Sequence, residues 1–493
     1  MKKLPALLLA AALLVGTAPA LGQETAPGIA KYVFFFIGDG MSNPQTTAAQ
    51  YYNGTMENRE SEVPVSKGLS FTGFPVVGLQ VTHDASSFAP DSAATATAMA
   101  TGQKTTSGTV NLLPDEETPL KIITEYAREA GMKIGVVTSV SLDHATPAAQ
   151  YARSSHRSNQ YDIAVQGLTN GLLDFLGGGG FRQTDGRRGD KRNLFEIARE
   201  NGWNLVNDNE GIRAIGASSG RTLAIVPDLA GGDAMQYEVD RLAIIEDGGD
   251  SLSLKEMTSA AIRALEGGEN GFFLMAEGGK IDWAAHANDV FTMIHEVNAL
   301  DEAVGAALDF SQKHPGETLI VVTGDHETGG LSLGYAATGY DIDLELLRRQ
   351  TMSFEAFDRV VADLRAKEAG FDEVLKAITR NFGLTLDEER SLRLTDGELQ
   401  KLEDAYAMNL LPSDERDYGE EEKINYGDYQ PLSVTAVHIL ARKAGLNFSS
   451  YAHTGLTLPV YAWGAGAEYF SGLYDNTRIF HHFMDAMGLT PDD

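Results

Sequence analysis

Tyr32-Val33-Phe34-Phe35-Phe36-Ile37 is an unbroken run of β-branched and aromatic residues, and it ends in Gly38-Asp39-Gly40. A strand with no polar alternation needs burial on both faces, which is the situation in a parallel sheet covered by helices. Val76–Val81, Ile134–Thr138, Thr222–Val226, Gly271–Ala276 and Leu319–Thr323 read the same way. Between them lie stretches of helical period: Pro119–Ala130, Asn193–Asn201, Leu254–Glu266 and Asp282–Asp309. This alternation predicts an α/β fold, with a mostly parallel central sheet flanked by helices on both faces. Near Tyr340 the composition turns charged and helical, with the acidic cluster Glu420-Glu421-Glu422, and strand character returns at Leu456–Trp463. Residues 336–445 therefore read as a helical acidic insertion, a cap or a subunit contact, in a core of residues 23–335 and 446–493. Its charges fit a solvated helical surface. The glycine run Gly177–Gly180 reads as a loop, and neither a phosphate loop nor a dinucleotide fingerprint follows it.

In a chain of 493 residues, 43% hydrophobic content is enough to bury a core and excludes global disorder. The balance of 39 Lys+Arg against 69 Asp+Glu, a formal −30, argues against nucleic acid as a specific partner and against an anionic membrane surface. A small anionic substrate remains compatible, because bound cations can reverse the field inside one pocket. With no cysteine, any metal must be held by histidine, carboxylate and hydroxyl ligands. Lys2 and Lys3, the apolar run Leu4–Val15 and Ala18-Pro19-Ala20 have the pattern of a secretory signal peptide over residues 1–22. The expectation is an exported protein, periplasmic or secreted, with no membrane span.

Three apolar strands run straight into acids: Asp39 after the first, Glu277 after Gly271–Ala276, and Asp325-His326 after Leu319–Thr323. Ligands of open α/β sheets bind at these carboxyl ends. Three carboxylates gathered on one edge repel one another, and cations are the simplest offset. Downstream of Glu277, Asp282 and His286 are spaced i,i+4, on one face of a helix, which suits a divalent metal. Pro90-Asp91-Ser92 followed by alanines reads as a helix start. Asp91 or Ser92 is then a cap, and a serine at such a helix start could attack phosphorus if a metal lowered its pKa.

Together with Thr323-Gly324-Asp325-His326-Glu327 and His453-Thr454-Gly455, these motifs resemble, in order, those of the zinc-dependent alkaline phosphatases. The resemblance runs from about residue 30 to 490, with 340–445 outside it or loosely matched. It implies a phosphoric monoester hydrolase working through a phosphoserine at Ser92, with Arg157 gripping two phosphate oxygens. It further implies two Zn2+ and one Mg2+ per chain. Asp282, His286 and His453 would hold one zinc, and Asp39, Asp325 and His326 the second. Asp39, Thr146 and Glu277 would hold magnesium. The implied substrates are small phosphate monoesters, and the implied assembly is a homodimer.

Two positions depart from the best-known bacterial pattern: His144 stands where that pattern has aspartate, and Trp283 where it has lysine. Both are expected at the pocket or just behind the metal ligands, and to alter magnesium retention and phosphate grip. Competing readings are a phosphodiesterase on the same metal platform and an exported phosphate-binding protein. The second would not need His286, His326 and His453 beside Asp39, Glu277, Asp282 and Asp325.

Overall fold

The computed structural model describes residues 29–387, 391–411, 416 and 418–492, so the signal-peptide reading of residues 1–22 lies outside the described residues. Among the described residues the strands are β1 (Tyr32–Gly38), β2 (Val76–Val81), β3 (Lys133–Thr138), β4 (Phe175–Gly178), β5 (Asn204–Val206), β6 (Thr222–Ile225) and β7 (Phe272–Gly278). They continue with β8 (Thr318–Gly324), β9 (Glu327–Thr328), β10 (Ser332–Leu333), β11 (Leu446–Asn447), β12 (His453–Thr454), β13 (Leu458–Gly464) and β14 (Gly472–Asp475). Ten of them form one sheet in the order β14-β2-β13-β8-β1-β7-β3-β4-β6-β5. Its pairings are parallel except at β13, which runs antiparallel to both β8 and β2.

The apolar run that opens the chain's fold is buried along its whole length, at the centre of this sheet. Phe34 and Phe36 point into one core, and Val33, Phe35 and Ile37 into the other. Helices Asn43–Glu57, Leu254–Leu265, Val290–Ser311 and Pro431–Lys443 contribute to the first core. Ser92–Thr101, Ile123–Glu129, Gln160–Thr169, Leu194–Glu200 and Thr477–Met487 contribute to the second. The architecture is α/β, with a mostly parallel sheet between two helical layers.

Between β10 and β11, which pair with each other, the chain forms helices Phe354–Ala366, Phe371–Phe382, Asp396–Leu410, Glu420–Tyr426 and Pro431–Lys443. Their buried residues, Phe357, Val361, Ile378, Phe382 and Leu402 among them, continue the first core rather than forming a separate one.

Local chemistry redraws three expected elements. The stretch Asp282–Asp309 divides into helices Lys280–His286 and Val290–Ser311. Asn288 adopts φ 54°, in the left-handed region, and Asp289 caps the second helix by accepting from the Thr292 amide at 3.1 Å. The stretch Pro119–Ala130 is helical only from Ile123, because Pro119 bridges Leu112 and the Leu120 amide bonds the Asn111 carbonyl. The glycine run is a strand end before it is a loop. Gly177 and Gly178 finish β4, which lies so close to β3 that a Cβ at Gly178 would sit 2.0 Å from the Thr138 carbonyl oxygen.

Candidate active site

The sheet order puts β8, β1, β7 and β3 side by side, with Gly38 level with Gly278 and Gly324, and Glu277 level with Thr138. Asp39, Glu277 and Asp325 therefore emerge from adjacent strands at one carboxyl edge, all fully buried. Asp325 Oδ1 accepts from the Gly40 amide at 3.0 Å and the His326 amide at 2.9 Å. Thr138 Oγ1 donates to Glu277 Oε2 at 2.5 Å, and Thr146 Oγ1 to Asp39 Oδ2 at 3.5 Å.

His326, fully buried, has Nε2 3.4 Å from Asp39 Oδ1 and 3.2 Å from Asp325 Oδ2. The chain then turns through β9, which pairs with β12 so that His453 faces Thr328. This ribbon carries His453 from far along the chain to the sheet edge. Asp282 and His286 share a face of the short helix as their spacing predicts, with Nε2 of His286 3.3 Å from Asp282 Oδ2. His453 Nε2 stands 3.1 Å from His286 Nε2 and 3.6 Å from Asp282 Oδ1. Both rings are oriented from behind: His286 Nδ1 is bonded to the Tyr451 carbonyl, and His453 Nδ1 to the Pro90 carbonyl at 2.6 Å. A carbonyl partner at Nδ1 keeps the proton there and turns the Nε2 lone pair inward, which is how ligating imidazoles are held.

Three groups of donor atoms result, each lying within 4.8 Å of one another: Asp282–His286–His453, Asp39–Asp282–His326 and Asp39–His144–Glu277. The first group brings together the three residues expected at the first zinc. In the second, Asp325 approaches His326 while Asp282 also joins. In the third, Thr146 lies against Asp39, and a ring nitrogen of His144 comes close to the Asp39 and Glu277 oxygens, a proximity that the spacing of residues in the chain did not reveal.

Burial and mutual repulsion shift the titrating groups of this cluster strongly. Burial, with added repulsion among the carboxylates, raises Asp39 well above the usual range, Glu277 to about 8 and Asp325 to about 7. Burial would raise Asp282 too, but His286, then His453 and His326, outweigh it and hold it low. Burial opposes the charge on His286, yet Asp282 pushes that ring up to about 9. Asp39 Oδ1 and Glu277 Oε1 are buried without a hydrogen-bond partner. Oxygen acceptors left bare in such a place, beside imidazole nitrogens turned inward, suit divalent cations.

Ser92 opens the wholly buried helix Ser92–Thr101, and Asp91 is its cap, accepting from the Ala94 amide at 3.0 Å. Asp91 also accepts from the Gly108 amide at 2.9 Å and from Arg157 Nη1 at 3.0 Å. This second task, holding the arginine, was not visible in the Pro-Asp-Ser pattern. Ser92 Oγ lies 3.2 Å from His326 Nε2. Arg157 Nη2 lies 3.1 Å from His144 Nε2, and burial followed by the guanidinium charge lowers His144 to about 3. A guanidinium has no acceptor, so the neutral His144 ring must accept through Nε2.

These groups face a cavity of about 580 Å³ lined by Ser92, His144, Arg157, Asp282, His286 and His453. Trp283 lies on its wall with its ring centroid 6.0 Å from that of His144, and the lining also includes Gly231 and Gly232 as well as Arg182, Tyr237, Phe354, Glu355 and Tyr429. Those last five stand in loops and in the helical segment before β11, where no motif marks them. The seven remaining histidines lie outside the three donor groups.

A family model described as alkaline phosphatase matches residues 30–489. Alkaline phosphatase 3 of Bacillus subtilis (strain 168) is 31% identical over 465 residues, covering 93% of this chain and 89% of its own. The crystal structure of Thermus thermophilus alkaline phosphatase superposes with a TM-score of 0.77 at 27% identity, over 94% of this chain and 93% of that one. The cold-active alkaline phosphatase of a Shewanella species does so with a TM-score of 0.74 at 26% identity, over 94% and 100%. With the motifs in order, the strand-end acids gathered on one edge and the family match nearly end to end, the chain belongs to the alkaline phosphatase family.

Proposed function

We propose that this metal-dependent phosphomonoesterase works through Ser92, Arg157 and a three-ion cage, and that it is exported and homodimeric. The observation that carries the reading is the place of Ser92 Oγ, at the amino end of a buried helix and 3.2 Å from His326 Nε2. Asp282, His286 and His453 would hold one zinc, Asp39, Asp325 and His326 the second, and Asp39, Thr146 and Glu277 magnesium. The bare oxygens of Asp39 and Glu277 support this assignment. When bound, the zinc pair supplies Lewis acidity that makes the serine hydroxyl and water nucleophilic at moderate pH and stabilises the departing alkoxide.

The chain's own residues do the rest. Arg157, held by Asp91, presents a planar fork to two phosphoryl oxygens, a match that lysine cannot make. The amides of the first turn after Asp91 add positive potential to the same anion. Ser92 Oγ forms a bond to phosphorus as the ester P–O bond breaks, and the leaving alcohol takes up a proton. Water then forms the next P–O bond, the Ser92 Oγ–P bond breaks, and inorganic phosphate departs. Two in-line displacements give net retention at phosphorus. Quenching turnover in acid and sequencing the peptide around residue 92 by mass spectrometry tests this. Phosphate on Ser92 is the expected result, and phosphate on no residue or on another contradicts it.

Phe354, Glu355 and Tyr429 support reading residues 336–445 as an insertion that caps the pocket, since all three line it. The homodimer reading is supported by a stripe of exposed apolar residues at one edge of the sheet. Val77, Leu79 and Val81 of β2 and Leu473 of β14 lie there, with Leu473 in register with Leu79. Export rests on residues 1–22. Among the described residues, no helix is long and apolar enough to cross a membrane.

A further inference from the structure

Arg182 is a second arginine of the pocket wall, and nothing in the mechanism above uses it. Its backbone is fixed close to the site, because its amide donates to Asp143 Oδ2 at 3.0 Å and Asp143 directly precedes His144. Its side chain is half exposed and loosely paired. The nearest carboxylate oxygen is Asp233 Oδ2, 3.9 Å from Nε and outside hydrogen-bond range. Arg157 differs, since Asp91 and His144 both engage it directly.

The guanidinium has a definite place along the wall. A Cβ on Gly232 would lie 2.6 Å from Arg182 Nη1 and 2.7 Å from Trp283 Cη2, so cation and indole converge on one patch of bare backbone. Gly232 has φ 70°, a conformation that glycine supplies without strain. Trp283 in turn neighbours His144, and His144 neighbours Arg157. The wall therefore runs from Arg157 at the reacting phosphoryl, past His144 and Trp283, to Arg182 at the far end. Of the two carboxylates on this side, Asp233 stays outside hydrogen-bond range of the guanidinium and Glu355 is engaged by the Gly231 amide at 2.9 Å.

We propose that Arg182 is a specificity-determining residue that binds a second anionic group of the substrate. The favoured class is then phosphate monoesters carrying a carboxylate or another phosphoryl group a few bonds from the one transferred. This rests on the phosphomonoesterase reading above. A guanidinium offers two parallel donors to either group, and the indole of Trp283 stands between it and His144 along the wall.

The test compares two substrates of one skeleton in the metal-loaded, full-length enzyme. Glycerate phosphorylated on its terminal hydroxyl has its carboxylate at the end opposite the phosphoryl, and glycerol phosphorylated on a terminal hydroxyl has a hydroxymethyl there. Arg182→Gln should lower the ratio of their kcat/KM values by about fivefold, mainly through KM of phosphoglycerate, as one half-exposed ion pair is lost. Arg182→Lys, which keeps the charge but not the paired donors, should keep only part of the ratio, and added salt should erode it in the wild type but not in Arg182→Gln. An unchanged ratio in Arg182→Gln, or an equal loss on both substrates, overturns the inference while leaving phosphomonoesterase activity standing. Failure of the wild type to hydrolyse either substrate and p-nitrophenyl phosphate would instead remove the reading on which it rests.

Discussion

Ser92 is buried, begins a helix and points its hydroxyl at an imidazole that itself faces two carboxylates. A serine serving only as a cap would be replaceable, but here the cap is Asp91. Ser92→Ala should therefore fold normally and lower kcat by at least about a thousandfold, as the loss of a nucleophile does. Comparable thermal midpoints with lost turnover are the expected pair of results, and retained turnover would contradict the assignment. At Trp283 the expected effect is smaller. Trp283→Lys restores a cation close to the phosphate site and should tighten inhibition by inorganic phosphate several-fold, about the worth of one partly exposed ion pair. An unchanged inhibition constant would remove Trp283 from the phosphate's surroundings. The chemistry-bearing residues were legible in the chain because each sits in a motif with its own physical logic: an acid after a buried strand, an acid and a histidine one helical turn apart. Asp91's hold on Arg157 and the entry of His144 into the Asp39–Glu277 group were not, because both depend on segments that meet only in the fold.

The strands that ended in acids proved to be neighbours, and the order β8-β1-β7 turned three separate motifs into one cage. Apolar runs buried on both faces are easy to read in a sequence. Short strands are not: β5 has three residues, and β4 ends in glycines whose bare backbone is needed for close packing against β3. The division of the long helical stretch at Asn288 was also hidden, because polar residues at the break carry a cap that looks like ordinary helix surface. Asp289 does more than cap. Its two oxygens accept from Thr292, Gln350 and the Phe354 amide, so it ties the helix after His286 to the segment that lines the pocket. Asp289→Ala leaves several buried donors unmet and should cost about 2–4 kcal/mol in denaturant unfolding. It should also speed loss of metal to a chelator, since His286 ends the preceding helix. A stability change below about 0.5 kcal/mol, the range of ordinary surface substitutions, would contradict this role.

Across the whole molecule, a formal charge of −30 surrounds a pocket that must receive an anion, and only a local concentration of positive charge reconciles the two. Without cations the cage resists ionisation: burial, aided by mutual repulsion, holds Asp39 high, Glu277 to about 8 and Asp325 to about 7. Carboxyls raised in the folded state bind more protons than in the unfolded chain. The metal-free protein should therefore lose stability as pH climbs from the ordinary carboxylate range to about 8. Reloading zinc at pH near 6 should release protons, and less so above about 8. Calorimetry in buffers of different ionisation enthalpy reads this, and proton release independent of pH would contradict it. The part of the lining that holds Arg182, Glu355 and Tyr429 was the least legible, because it comes from loops and a charged helical segment whose residues carry no spacing signal. If the apolar stripe on β2 and β14 is a subunit contact, Leu79→Glu should shift the protein from dimer to monomer in sedimentation. A wild-type monomer at micromolar concentration would contradict that reading.

Metal dependence is read from the rate of p-nitrophenyl phosphate hydrolysis by protein dialysed against a chelator, before and after zinc and magnesium are restored. Activity that vanishes with the metals and returns with them is the predicted result. Activity that survives their removal, or folded and reloaded protein that never hydrolyses the ester, would contradict a metal-dependent phosphomonoesterase.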